Sequence, residues 1–117
     1  MLYQIRTASG EKDPFSSGTA VDPNGEVRHL TADQFELKPV RHWKSQKTGA
    51  VYPIGWRIEV PSEQLILESE PSLPDQELIT SKSTRVTYWE GAGRYRGSKQ
   101  GRAISGKGYV ELTGYAK

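Results

Sequence analysis

The sequence predicts an all-β chain, an antiparallel up-and-down barrel of about eight to ten short strands with little helix. Three observations carry that expectation. Apolar residues recur with a period of two, most clearly where Ile54, Trp56, Ile58 and Val60 alternate with Gly55, Arg57 and Glu59. Turn-forming clusters such as Asp22-Pro23-Asn24-Gly25 separate runs of strand length. No stretch carries the apolar spacing of a long helix, a heptad or a solenoid repeat.

Taken in order, Leu2 to Thr7 alternates weakly and reads as a strand followed by a polar loop. Phe15 to Val21 is a second strand with one face of small residues. The Asp-Pro-Asn-Gly turn returns the chain antiparallel over Glu26 to Leu30, because proline presets φ and glycine takes the left-handed exit. Thr31 to Gln34 is expected to form one helical turn capped by Thr31, after which Phe35 and Leu37 alternate with Glu36 and Lys38. Arg41 to Lys44 leads into a loop at Ser45 to Gly49. Val51 to Val60 follows as the clearest strand, with one buried face. Leu65 to Glu70 and Gln76 to Thr80 are further strands, separated by a loop bracketed by Pro71 and Pro74. Val86 to Arg96 and Ala103 to Ala116 complete the set, joined by a glycine-rich, basic loop whose role the sequence leaves open.

The 117 residues amount to one domain, spanning 1–117, with room for a single modest core. Hydrophobic residues make up 34%, but 9% aromatics and 12 glycines point to a folded β-rich chain rather than disorder. The absence of cysteine removes disulfides, thiol nucleophiles and cysteine metal sites. No apolar run approaches the roughly 20 residues of a membrane-spanning helix, and Met1 to Gly10 lacks signal-peptide character, so a cytoplasmic location is expected. The net charge is +2, unevenly placed. Pro61 to Ser81 holds five acids and no base, whereas Lys82 to Lys107 holds seven bases against Glu90 alone. Cross-strand pairing of the two stretches accounts for this without any partner. An oligomer contact or an anionic ligand would use the same split.

Most chemistries fail on residue type. His29 and His42 stand thirteen residues apart with no carboxylate pattern, so no metal site is expected. No nucleophile elbow surrounds a serine, and Gly91-Ala92-Gly93 precedes no helix that would cradle a phosphate. No cofactor is implied. Tyr88, Trp89 and Tyr95 interleave with Arg85, Arg94 and Arg96 as on nucleic-acid stacking platforms, but the small net charge and the acidic stretch disfavour that partner. There remain carboxylates in aromatic company. Glu90 follows Tyr88 and Trp89. In Gly108 to Ala116, alternation puts Tyr109, Glu111, Thr113 and Tyr115 on one face and Val110, Leu112, Gly114 and Ala116 on the other. That aromatic face either lines a cavity or forms a wet barrel rim with Glu111 paired to an arginine.

Several motifs in sequence carry a resemblance. Asp13-Pro14-Phe15-Ser16-Ser17-Gly18, His42-Trp43-Lys44-Ser45, Thr48-Gly49-Ala50-Val51-Tyr52-Pro53 and Trp56-Arg57 are followed by Asp75-Gln76-Glu77-Leu78, Tyr88-Trp89-Glu90-Gly91 and Gly106 to Tyr115. In this order they resemble the C-terminal lipocalin-like domain of the AttH and carotenoid 1,2-hydratase (hydroxyneurosporene synthase) family. The resemblance implies a lipocalin-like barrel, half of a protein that usually carries two such domains, and members that hydrate carbon–carbon double bonds. The surface that would meet the other domain is then a candidate homodimer contact.

The expected function is therefore binding of a small apolar or amphipathic ligand, lined by Trp43, Trp56, Tyr88, Trp89, Glu90, Tyr109, Glu111 and Tyr115. The alternatives are a hydratase acting on an isoprenoid-like substrate and a dimerising interaction domain. Alkene hydration needs a carboxylic acid to protonate the double bond and rings to stabilise the cation, roles that would fall to Glu111, with Glu90 or Asp75 behind it, and to the aromatic residues.

Overall fold

In the computed structural model, which describes all residues from Met1 to Lys117, nine antiparallel strands form two sheets. β1 (Leu2–Tyr3), β2 (Ser17–Val21) and β3 (Val27–Thr31) form the smaller sheet in that order. The larger sheet runs β4 (Glu36–Lys44), β5 (Val51–Val60), β6 (Leu65–Pro71) and β8 (Thr87–Lys99). β8 also pairs with the short β7 (Glu77–Ile79) and with β9 (Arg102–Leu112). Most connections join antiparallel neighbours, as the spacing of turn residues predicts, whereas β3–β4 passes between the sheets and β6–β7 joins strands that flank β8. The fold is lipocalin-like and all-β, with two 3-10 turns and no α-helix. No strand ladder joins the two sheets.

Local chemistry explains most boundaries. Gly25 adopts φ +86, and its N–H donates to Asp22 O at 2.9 Å, closing the β2–β3 turn. Thr31 caps the 3-10 turn Ala32–Gln34, while the Gln34 side chain accepts from the Thr31 N–H at 2.9 Å. β4 runs through Arg41–Lys44, beyond its expected end, because a register shift around Val40 bulges the strand and lets it continue, with Trp43 opposite Tyr52.

The expected glycine-rich loop Gly97 to Gly101 is a second correction. β8 continues to Lys99, and a two-residue turn at Gln100 and Gly101, φ +52 and +76, joins it to β9. Gly97 lies in the ladder because a Cβ there would sit 1.8 Å from the Ile66 carbonyl oxygen. At the other terminus β1 is two residues long, and the chain from Arg6 to Lys12 closes a small loop instead of extending the strand.

The charge split resolves across the larger sheet. Glu68 lies opposite Arg96 and Glu70 opposite Arg94, while Arg57 and Arg41 reach the same two acids at 3.6 Å from the other side. Up to β8 these two rows alternate in sign, the arrangement expected of cross-strand pairing, but the alternation stops at β9, where Arg94 faces Lys107.

Two apolar clusters hold the fold. One comprises Ala50, Tyr52, Ile54, Trp89 and Leu112; the other comprises Leu30, Phe35 and Val60, bridging the two sheets. Only 15 of 117 residues are buried, too few to fill the space between the sheets. The radius of gyration agrees, at 15.2 Å against about 13 Å for a compact domain of this length.

Candidate functional site

The unfilled space is a groove of about 1050 Å³ between the sheets. Its wall follows from strand parity. Trp56, Ile58 and Val60 of β5 lie opposite Ser69, Leu67 and Leu65 of β6, and these in turn lie opposite Tyr95, Gly97 and Lys99 of β8. The same inward parity continues into Gly108 and Val110 of β9. Leu37 of β4 extends this wall, Leu2 and Ala20 of the smaller sheet face it, and Met1 to Arg6 and the edge of β9 border the seam. Gly108 is small for a reason: a Cβ there would come 2.4 Å from the Tyr95 ring, which burial also pushes to a higher hydroxyl pKa.

The groove is mainly apolar, with Arg6 and Glu111 at its seam and a cluster of charges at one further place. Arg28 of β3 donates Nη1 and Nη2 to the two oxygens of Asp22, each at 2.8 Å, and Nη2 to Glu63 Oε2 at 2.9 Å. Lys99 stands 3.9 Å from Asp22. Glu63 and Lys99 both line the groove. Hydrogen bonding from Arg28 holds the Asp22 and Glu63 carboxyls below their usual range. This clamp joins the β2–β3 hairpin of one sheet to the β5–β6 turn of the other.

The alternation in Gly108 to Ala116 turns out reversed with respect to a cavity. β9 ends at Leu112, with Val110 and Leu112 packed on the core, while Tyr109 is 63% exposed on the outer face. Tyr109 and Glu111 border the groove only at its seam, since β9 is an edge strand. Glu111 meets no arginine; its cross-strand neighbour is Glu90. Tyr88 shares that outer face. Its hydroxyl lies 3.5 Å from Glu90, whose charge, with burial and Glu111, raises its pKa. Tyr115 does reach the interior, because Gly114 at φ +80 breaks the alternation. Its ring packs 5.9 Å from Tyr52 and carries the Arg6 guanidinium at 4.0 Å.

Of the remaining expected residues only one stands on the groove wall. Trp56 lines the groove. Trp43 stacks on Tyr52 at 6.2 Å, away from it. Trp89, 1% exposed, is core, and its Nε1 donates to Pro74 O at 2.8 Å. Asp75 is paired with Lys47 at 3.8 Å on the surface.

A second polar centre was not foreseen from the sequence. Glu77 accepts from Ser45 Oγ at 2.6 Å, Thr48 Oγ1 at 2.7 Å and Tyr52 OH at 2.8 Å. Burial opposes ionisation of Glu77, but the three donors outweigh it and hold the carboxyl below its usual range. Burial and the Glu77 charge push the Tyr52 hydroxyl up. The available signal was that Ser45, Thr48, Tyr52 and Glu77 all fall in motifs that carry the family resemblance; here they converge on one carboxylate.

An all-β lipocalin-like fold around a largely apolar groove defines the class of this chain. Within that class the chain belongs to the AttH-like family, whose model matches residues 1–115. An AttH protein from Nitrosomonas europaea is 35% identical, superposes with a TM-score of 0.83 and covers 97% of this chain. Kievitone hydratase from Nectria haematococca, 21% identical over 96% of the chain with a TM-score of 0.74, shares the fold. The chain spans 33% of the length of each of these two proteins. No curated protein matches it.

Proposed function

We propose that the chain binds a small apolar or amphipathic molecule in the groove between its sheets. The observation that carries this reading is the groove itself, about 1050 Å³ of unfilled volume walled by Leu2, Ile58, Leu65, Leu67 and Val110. That volume is at the upper end of small-molecule sites, which run to about 1,000 Å³. The ligand's apolar body lies on this wall, and a polar end meets Lys99 and the Arg28 clamp. Trp56 is the one tryptophan on the wall and therefore the reporter. Titration with a sesquiterpene alcohol or a medium-chain fatty acid is expected to change tryptophan emission saturably. The change disappears in Trp56→Phe and weakens in Leu67→Arg. If neither probe gives a saturable change, or Leu67→Arg binds as the parent does, the reading fails.

Hydration of a double bond is the second reading, supported by family membership and by the hydratase among its structural neighbours. Its proton donor would be Glu111, which reaches the groove at the seam, whereas Glu90 and Asp75 lie off the wall. Glu63, the other carboxylate on the groove, is held ionised by Arg28. The binding reading therefore stands first. Hydrated product formed equally by the parent chain and by Glu111→Gln would remove Glu111 as the acid.

A further inference from the structure

The outer face of the β8–β9 ribbon carries two unfavourable pairs. Glu90 lies directly opposite Glu111, and Arg94 directly opposite Lys107. Like charges facing one another across strands destabilise a sheet. Glu90, Glu111 and Lys107 take part in no ion pair, and Arg94 has only its lateral neighbour Glu70. β9 is also an edge strand of eleven residues whose second edge pairs with nothing. A long free edge is a template for another strand. Tyr109, three residues before its end, is 63% exposed.

We infer that this edge pairs antiparallel with β9 of a second copy of the chain, about a two-fold axis at Tyr109. A two-fold normal to the sheet keeps outer faces together, so only residues of equal parity come opposite one another. The charges on β9 are Arg102, Lys107 and Glu111, and parity forbids Arg102 from facing Glu111. The one register that opposes unlike charges puts Tyr109 against its own copy and Lys107 against Glu111, twice by symmetry. Gly108 then faces Val110 on the inner side. The same register relieves both unfavourable pairs at once: the row across the joined sheet reads Glu90, Glu111, Lys107, Arg94. The inference rests on the ladder and the charges; because this edge borders the groove, the pairing would also cover its seam.

Charge exchange tests it. Sedimentation velocity is expected to show a dimer that weakens as salt rises. Lys107→Glu and Glu111→Lys each set like charges against one another twice and weaken association by roughly tenfold or more. The double exchange restores it. Folding is separated from association, because each single exchange places an opposite charge beside Arg94 or Glu90 within the chain, so thermal stability does not fall. The chain has no cysteine, so Tyr109→Cys is a single reporter. Antiparallel partners lie about 4.5–5.5 Å apart between Cα atoms, within disulfide range, so mild oxidant links the copies. Ser105→Cys, which faces Thr113, stays unlinked. A monomeric parent at high micromolar concentration, a dimer indifferent to both single exchanges, or a Tyr109→Cys variant that does not crosslink overturns the inference.

Discussion

Glu77 and Glu63 each tie together segments far apart in the chain, yet by different chemistry. Glu77 takes three neutral hydroxyl donors beside the larger apolar cluster, where Ser45 is 2% and Tyr52 0% exposed. Glu63 shares the Arg28 guanidinium with Asp22 on a groove open to solvent. Neutral donors suit a site with little water, since they satisfy the carboxylate without bringing in a second charge to desolvate. A guanidinium suits the groove, where water screens the cost and the pair can part. The first centre fixes structure, and the second joins two sheets that no ladder connects.

The comparison can be broken most sharply in the core beside Glu77. Trp89→Ala empties the centre of that cluster and strands the Pro74 carbonyl, and urea titration should show a loss of about 3–5 kcal/mol. Glu77→Ala leaves the Ser45 and Tyr52 hydroxyls without their acceptor, and the same titration should show a loss of about 1–3 kcal/mol. Arg28→Ala is expected to cost less than Glu77→Ala, because the Arg28 and Asp22 side chains are partly solvated, at 34% and 26% exposed.

Its signature is in pH. The Asp22 and Glu63 carboxyls are lowered in the folded state, so their contribution is present above the ordinary carboxylate range and is lost as pH falls through their depressed values. Arg28→Ala should flatten that acid limb of a stability profile, whereas Glu77→Ala should keep the part due to Arg28. An unchanged acid limb in Arg28→Ala would mean that the clamp does not hold the sheets. Smallest of all, Tyr109→Ser on the outer face should move the thermal midpoint of the separated chain by no more than about 0.5 kcal/mol in equivalent stability.

Much of the fold was legible because it is written locally. The strand Val51–Val60, the Asp22–Gly25 turn and the turn after Thr31 each depend on residues within a few positions and form as expected, but residues 52–55 are buried on both faces of the strand rather than one. The groove was harder to read. In β9 two alternating sets both suit a buried face, and what decides between them is the register against Trp89 and Gly91 of β8. Gly114 then reverses the alternation, so Tyr115 enters while Tyr109 does not. The bulge near Val40 and the ladder position of Gly97 depend on the neighbouring strand. Glu77 finds its partners 25 to 32 residues away, a distance at which only the motifs hinted.

The missing ladder between the sheets also has a kinetic meaning. β1–β3 can part from the larger sheet without breaking a backbone hydrogen bond between them, so the smaller sheet is expected to move as one unit about Ala32–Gln34 once the Arg28 clamp releases. Hydrogen exchange should then find the amides of β2 and β3 releasing together, ahead of those in the doubly paired β8, and arginine at position 28 would be the latch that sets their rate.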